Sequence, residues 1–208
     1  MTDSVAPLKR ARMGKFIFSA VSMFLLGTQV QAASTFFAND FAGWHNATVS
    51  YKTCSFVEFP QNTIITNQYQ NLGVQFTGPN WNLVLDSAGG FPQDGKGLNP
   101  NTYLELTFDE PMHSIAAHGP GGWLFQLFLG ETVVGLSPWW NGGSPNGFAG
   151  FVTDISFDRV RLVSPSPGGI VFVDNVYFST VPGPSALLTA VLMMLGRVSR
   201  SRRPRSIG

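Results

Sequence analysis

The chain has 208 residues, 44% of them hydrophobic and only 12% charged, with a formal charge of +1. That near-neutrality hides a segregation: four basic residues precede Phe16, five follow Gly196, and between them four basic side chains stand against eleven acidic ones, so residues 34–180 carry −7. Such a body excludes a nucleic-acid partner, whose phosphates need a basic face, and the single cysteine, Cys54, excludes an intramolecular disulfide.

Residues 1–33 read as a secretory signal peptide. Lys9, Arg10, Arg12 and Lys15 make a basic opening, residues 16–26 an apolar run, and Ala32 and Ala33 supply the small residues a signal peptidase needs, with the cut after one or the other. The run is too short, and too closely followed by polar residues, to anchor the chain in a membrane. Residues 34–180 then form one domain, long enough for a substantial core.

Glycine and proline punctuate this body every eight to twelve residues, and the pieces between them alternate. Asn46-Ala-Thr48 spells a glycosylation acceptor sequence, read as coincidental. Leu72-Gly73 turns the chain, and Val74 and Phe76 re-enter the core. In residues 103–108, Leu104, Leu106 and Phe108 share one face and Tyr103, Glu105 and Thr107 the other, the period-two signature of a half-buried strand. Residues 123–129 and 132–136 flank Gly130-Glu131, and a glycine first in a two-residue connection suits a type II′ hairpin. In residues 157–163, Arg159 and Arg161 point out while Val160 and Leu162 point in. Residues 170–178 form a closing strand apolar on both faces. No segment of the body keeps a helical period, so many short strands without intervening helices predict an all-β, antiparallel β-sandwich, most simply a jelly roll.

Residues 56–76 resemble the opening of a group of exported bacterial domains, in which an acidic strand precedes Thr-x-Ile-x-x-Gln-Tyr-x-x-Leu-Gly-Val-x-Phe. Phe157-Asp-Arg-Val and Val173-Asp-Asn-Val-Tyr-Phe178 resemble the last two strands of the same domains. The resemblance covers about a third of the body and implies a galactose-binding-like or lectin-like sandwich, without a particular activity.

The chemistry of the body points away from catalysis. There is no Gly-x-Ser-x-Gly, no His-Glu-x-x-His and no phosphate-cradling glycine loop. Asp109-Glu110 before Pro111 reads as a solvated turn. Nothing in the spacing of His45, His113 and His118 points at Cys54, which reads as a small buried residue; His113 and His118 read as exposed. The body is therefore expected to be non-catalytic. One candidate ligand site is the glycine-rich loop after Pro138: two indoles beside side-chain amides match the apolar face and hydroxyl rim of a sugar. Here Trp140, Asn141 and Asn146 are expected to line a weak glycan site while Trp139 caps the core. One candidate metal site pairs Glu58 with Asp174. If the opening and closing strands lie side by side, these carboxylates could converge on a structural Ca2+ completed by backbone carbonyls. The competing reading makes Asp174-Asn175 a bulge or strand end. No other cofactor is expected.

The chain closes with Val181-Pro182-Gly183-Pro184-Ser185, an apolar run over residues 186–196, and Arg197, Arg200, Arg202, Arg203 and Arg205. Basic residues after an apolar segment mark a cytoplasmic flank. In order and position, residues 181–208 resemble the PEP-CTERM sorting signal: a Val-Pro-Glu-Pro-like motif, a membrane helix and an arginine-rich tail. Gly183 stands where that family usually has Glu, and the apolar run, at 1.5 Å per residue, covers roughly half of a ~30 Å hydrocarbon core. The resemblance implies a body flanked by a signal helix and a short apolar helix. It also implies processing by signal peptidase and an exosortase-like enzyme, transient residence in the inner membrane, and delivery to the cell surface or matrix. The body is then a spacer or interaction module; the alternative is a carbohydrate-binding module for exopolysaccharide.

Overall fold

A computed structural model of the chain describes residues 33–48, 50–77, 83–86, 95–100, 102–141, 147–164 and 171–181, all within one compact unit. The expected signal peptide up to Ala32, and the expected sorting segment beyond Val181, lie outside the described residues.

Two 16-residue strands, β6 (Tyr103–His118) and β10 (Phe148–Val163), organise everything else. In chain order, β1 (Ser34–Ala38), α1 (Phe41–Thr48), β2 (Lys52–Cys54), β3 (Val74–Thr77), β4 (Leu83–Asp86) and β5 (Lys96–Asn99) precede β6. Between β6 and β10 come β7 (Gly122–Leu129), β8 (Thr132–Leu136) and β9 (Trp140–Asn141), and β11 (Val176–Ser179) closes the body. Strands β4 and β5 pair only with each other; the rest join one antiparallel open sheet. The fold is all-β in class.

The pairing of β6 with β10 is continuous at both ends and broken in the middle. Phe148 to Val152 face His118 to Ser114, and Arg159 to Val163 face Thr107 to Tyr103; between these runs the register slips twice. Pro111 lies in the slipped stretch of β6, where the absence of its N–H breaks no regular ladder bond. Asp109 and Glu110 beside it are exposed, as expected, yet the chain stays extended there rather than turning back.

The slip divides the sheet into two halves. In one, β2, β11, the second half of β6, the first half of β10 and β1 lie side by side; in the other, β3, the first half of β6, the second half of β10, β7 and β8. Alternate residues of both halves meet in one core cluster: Ile115, Phe151 and Phe178 come from the first, Leu106, Phe125 and Leu162 from the second, all nearly or wholly buried. Burying a side chain of this size contributes about 1.5–3 kcal/mol.

The first half is covered on its other face as well. There Ala116, Phe148, Val152 and Tyr177 pack against Trp44 of α1. This corrects the expectation of a body without helices. An eight-residue helix makes barely two turns, too few for a sustained period to register in the sequence. Its own signals are local: Asp40 Oδ1 accepts the Gly43 N–H at 2.8 Å, a side-chain N-cap. Phe41, Trp44 and Thr48 fall on the i, i+3, i+7 stripe that faces the sheet. Thr48, the hydroxyl residue of the acceptor sequence, is buried, and its Oγ1 donates to the Trp44 carbonyl at 3.0 Å.

Several expectations hold in detail. Leu104, Leu106 and Phe108 are buried, as are Val160 and Leu162. The β7–β8 hairpin turns at Gly130, whose φ of 57 with none positive at Glu131 suits the type II′ form. After a single 3-10 turn over Gln70–Leu72, Gly73 adopts φ 79 and returns Val74 and Phe76 to the core. All four residues of β11 are buried, sandwiched between the core and α1's layer. The closing strand is shorter than expected, since Asp174 and Asn175 precede it and only Val173 makes an isolated bridge, to Leu98.

Candidate functional site

The indole pair after Pro138 is oriented by β9. Its two residues pair with β7, Trp140 against Trp123 and Asn141 against Gly122. Trp140 is 3% exposed, its ring 4.5 Å from that of Trp123 at 60°. Glycines make room for it: a Cβ added to Gly147 would fall 2.3 Å from the Trp140 ring, and one on Gly122 would fall 2.7 Å from the Trp140 carbonyl oxygen. Trp139 is 55% exposed. The expectation that Trp139 caps the core while Trp140 faces solvent is therefore reversed. The reason is pairing: Trp123 already occupies the core, and the register that sets Trp140 opposite it drives that indole inward. Alternation then gives Trp139 and Asn141 the same outward side, and Asn141 is exposed. Asn146 lies outside the described residues.

Beside this platform extends the outer face of the second half-sheet, over which no described element packs. One row runs across five strands: Thr77, Glu105, Arg161, Gln126 and Leu136 are successive register partners. Glu105 sits between the only two arginines of the body. Its Oε2 accepts from Arg161 Nε at 2.8 Å and Nη2 at 2.5 Å, and lies 3.8 Å from Arg159 Nη1. Thr77 donates to its other oxygen at 3.3 Å. The guanidiniums stack on aromatic faces, Arg159 over Phe128 at 4.4 Å and Arg161 over Tyr103 at 4.5 Å. Arg159 also donates to the Gly130 carbonyl at 3.0 Å and to Glu131 at 3.2 Å, tying the hairpin to β10. Val133, Leu136 and Trp139 form an exposed apolar margin along β8. A carboxylate held by two always-charged guanidiniums is suited to fixed hydrogen bonding, not to proton transfer. The sequence marks these arginines only as outward-facing strand residues; their shared carboxylate lies on another strand.

The two residues of the expected metal site differ in burial. Glu58 lies exposed in the turn after Phe56, whereas Asp174 is fully buried and its N–H donates to the His118 carbonyl at 2.8 Å. The strands near them do pair, Val176 opposite Cys54, but among the described residues no three histidine, cysteine, aspartate or glutamate side chains form a metal-holding group. Burial, and then the Glu58 charge, push the Cys54 thiol far above its ordinary value, so this buried cysteine stays an inert thiol. Burial likewise raises Tyr69, with Glu58 beside it; its hydroxyl donates to the Ser55 carbonyl.

The histidines do not converge. His45 is exposed on α1, and His113 Nδ1 is 3.1 Å from the Thr153 carbonyl oxygen. His118 is buried, contrary to expectation, because α1 closes over it; its Nδ1 is 3.1 Å from the Tyr177 hydroxyl, and its ring touches Phe41 and Phe148.

Of the expected sorting motif, Val181 is described: it is half-buried, and its N–H donates to Ser179 Oγ at 3.1 Å. Together with Tyr51, Lys52, Met112 and Phe178 it lines a cavity of about 90 Å³ where the chain leaves β11. No helix among the described residues is long and apolar enough to cross a membrane. No family model, curated protein or solved structure matches this chain.

Proposed function

We propose that the protein is an exported cell-surface or extracellular-matrix component, sorted through a C-terminal PEP-CTERM-like signal, whose non-catalytic β-body serves as an interaction module. One observation carries this reading. The strands of the body run from Ser34 to Ser179, while nine of the thirteen basic residues, and both apolar runs that are followed or preceded by them, lie in the sequence on either side. Signal peptidase and an exosortase-like enzyme are the processing partners, and the inner membrane is a transient station. We further read the body as a sandwich of the jelly-roll, galactose-binding-like kind. The support is that two half-sheets joined through β6 and β10 share one core, as strands that pass between packed sheets through bulges do. Intact mass of the mature product tests the sorting reading: the expected species ends near Pro182 to Ser185. A product that keeps Arg197 to Arg205 outside the cell ends the idea.

A second reading, carbohydrate binding by the same body, is favoured by a specific observation. Trp139 and Asn141 lie exposed on one side of a rigid core indole, next to the Gln126–Arg161–Glu105 row. An indole face with amide and charged hydrogen-bonding groups fits a pyranose, which presents C–H bonds on one side and hydroxyls at its rim.

A further inference from the structure

The start of the body contains a detail that the export reading does not itself specify, namely which bond the signal peptidase cuts. Ala33 is exposed and its backbone is held on both sides by one residue of β10. Its N–H donates to Asp154 Oδ2 at 3.3 Å, and its carbonyl accepts from the Asp154 N–H at 3.0 Å. The next residue, Ser34, opens β1 in register with Thr153. We propose that cleavage falls between Ala32 and Ala33, and that the new α-ammonium of Ala33 becomes the ion-pair partner of Asp154, pinning β1 to β10 on maturation.

The chemistry is a hydrolysis. The Ala32–Ala33 amide breaks and one water is consumed, leaving a carboxylate on Ala32 and an ammonium on Ala33. The nitrogen that donates as a neutral amide in the full chain is the atom that acquires the charge, so the geometry for the pair precedes the cut. A charged donor makes a shorter and stronger bond to a carboxylate than a neutral amide does. Cutting one residue later would remove Ala33 and with it both contacts to Asp154. The sequence agrees independently. Both cuts leave an alanine immediately before the scissile bond, but a cut after Ala32 sets Val30 at the third residue before it whereas a cut after Ala33 sets Gln31 there, and the A-x-A-like site disfavours the long polar glutamine.

This inference rests on the export reading, and its test separates the two. The full 208-residue chain is produced in a Gram-negative host, and the exported product is analysed by N-terminal sequencing and intact mass. An Ala33 N-terminus is expected. A Ser34 N-terminus overturns the inference and leaves export standing; an uncut chain overturns both. As a second readout, the melting temperature of the mature product is compared with that of the same product acetylated at its N-terminus. Acetylation should lower it, and Asp154→Asn should erase the difference; an equal effect of acetylation in the Asp154→Asn variant overturns the ion pair.

Discussion

The two half-sheets are built from the same pair of long strands, yet they live in different surroundings. In the half that holds β11, one face meets the core and the other meets α1, and side chains as large as Trp44 and Phe148 are almost wholly buried. In the half that holds β7 and β8, no helix among the described residues lies over the outer face. The outer face carries Glu105, Arg159 and Arg161 with their stacked aromatics, and an apolar margin ending at Trp139. The difference teaches which positions can carry function without a large cost to the fold. Substitutions in the covered half strike packing on both sides, while the open half holds its polar row above a core that needs only alternate residues.

The indole pair brings that comparison down to adjacent residues, and it gives the largest expected effect. Trp140→Ala empties a site that Trp123, Gly122 and Gly147 enclose, and should destabilise the body by about 3–5 kcal/mol in urea unfolding. Loss of less than ~1 kcal/mol would mean that Trp140 is no part of the core and would erase the distinction between the two indoles.

A smaller effect sharpens the contrast from the covered side. Cys54 pairs with β11 and is fully buried, and burial raises its thiol above an ordinary value of 9.0. The folded state therefore holds its proton where the unfolded chain has released it. Stability is intact below that ordinary value of 9.0 and falls as the pH rises above it, by up to about 1.4 kcal/mol per pH unit for this group. Tyr69, raised in the same way, adds to the loss above pH ~10. Cys54→Ala should flatten the limb between these two values in melting curves against pH. An unchanged alkaline limb in that variant would show that the thiol is not shielded as described.

How far the sequence anticipates this molecule depends on how local each signal is. The alternation of residues 103–108 and 157–163, the Gly130 hairpin and the Gly73 turn are written in neighbouring residues, and the strands form there. The helix α1 is not legible because two turns show no period, and its Asp40 cap and Trp44 become meaningful only against Tyr177 and Phe148. The burial of His118 follows from that same helix. The direction of the Trp139-Trp140 pair depends on a register with Trp123, seventeen positions away from Trp140. The Glu105–Arg161 pair joins residues 56 apart, which no local pattern announces. The tryptophan loop is thus legible in its composition, while long-range pairing sets its orientation.

On the carbohydrate-binding reading proposed above, the open half would meet the glycan, with the exposed Trp139 as its anchor. Affinity electrophoresis of the mature protein through gels containing envelope polysaccharide, run beside its Trp139→Ala variant, tests this most directly. The account predicts that the native protein is retarded and that Trp139→Ala loses the retardation with less than ~1 kcal/mol lost in stability, as for a surface change. Equal retardation of a stably folded Trp139→Ala variant, or none for the native protein, would contradict it.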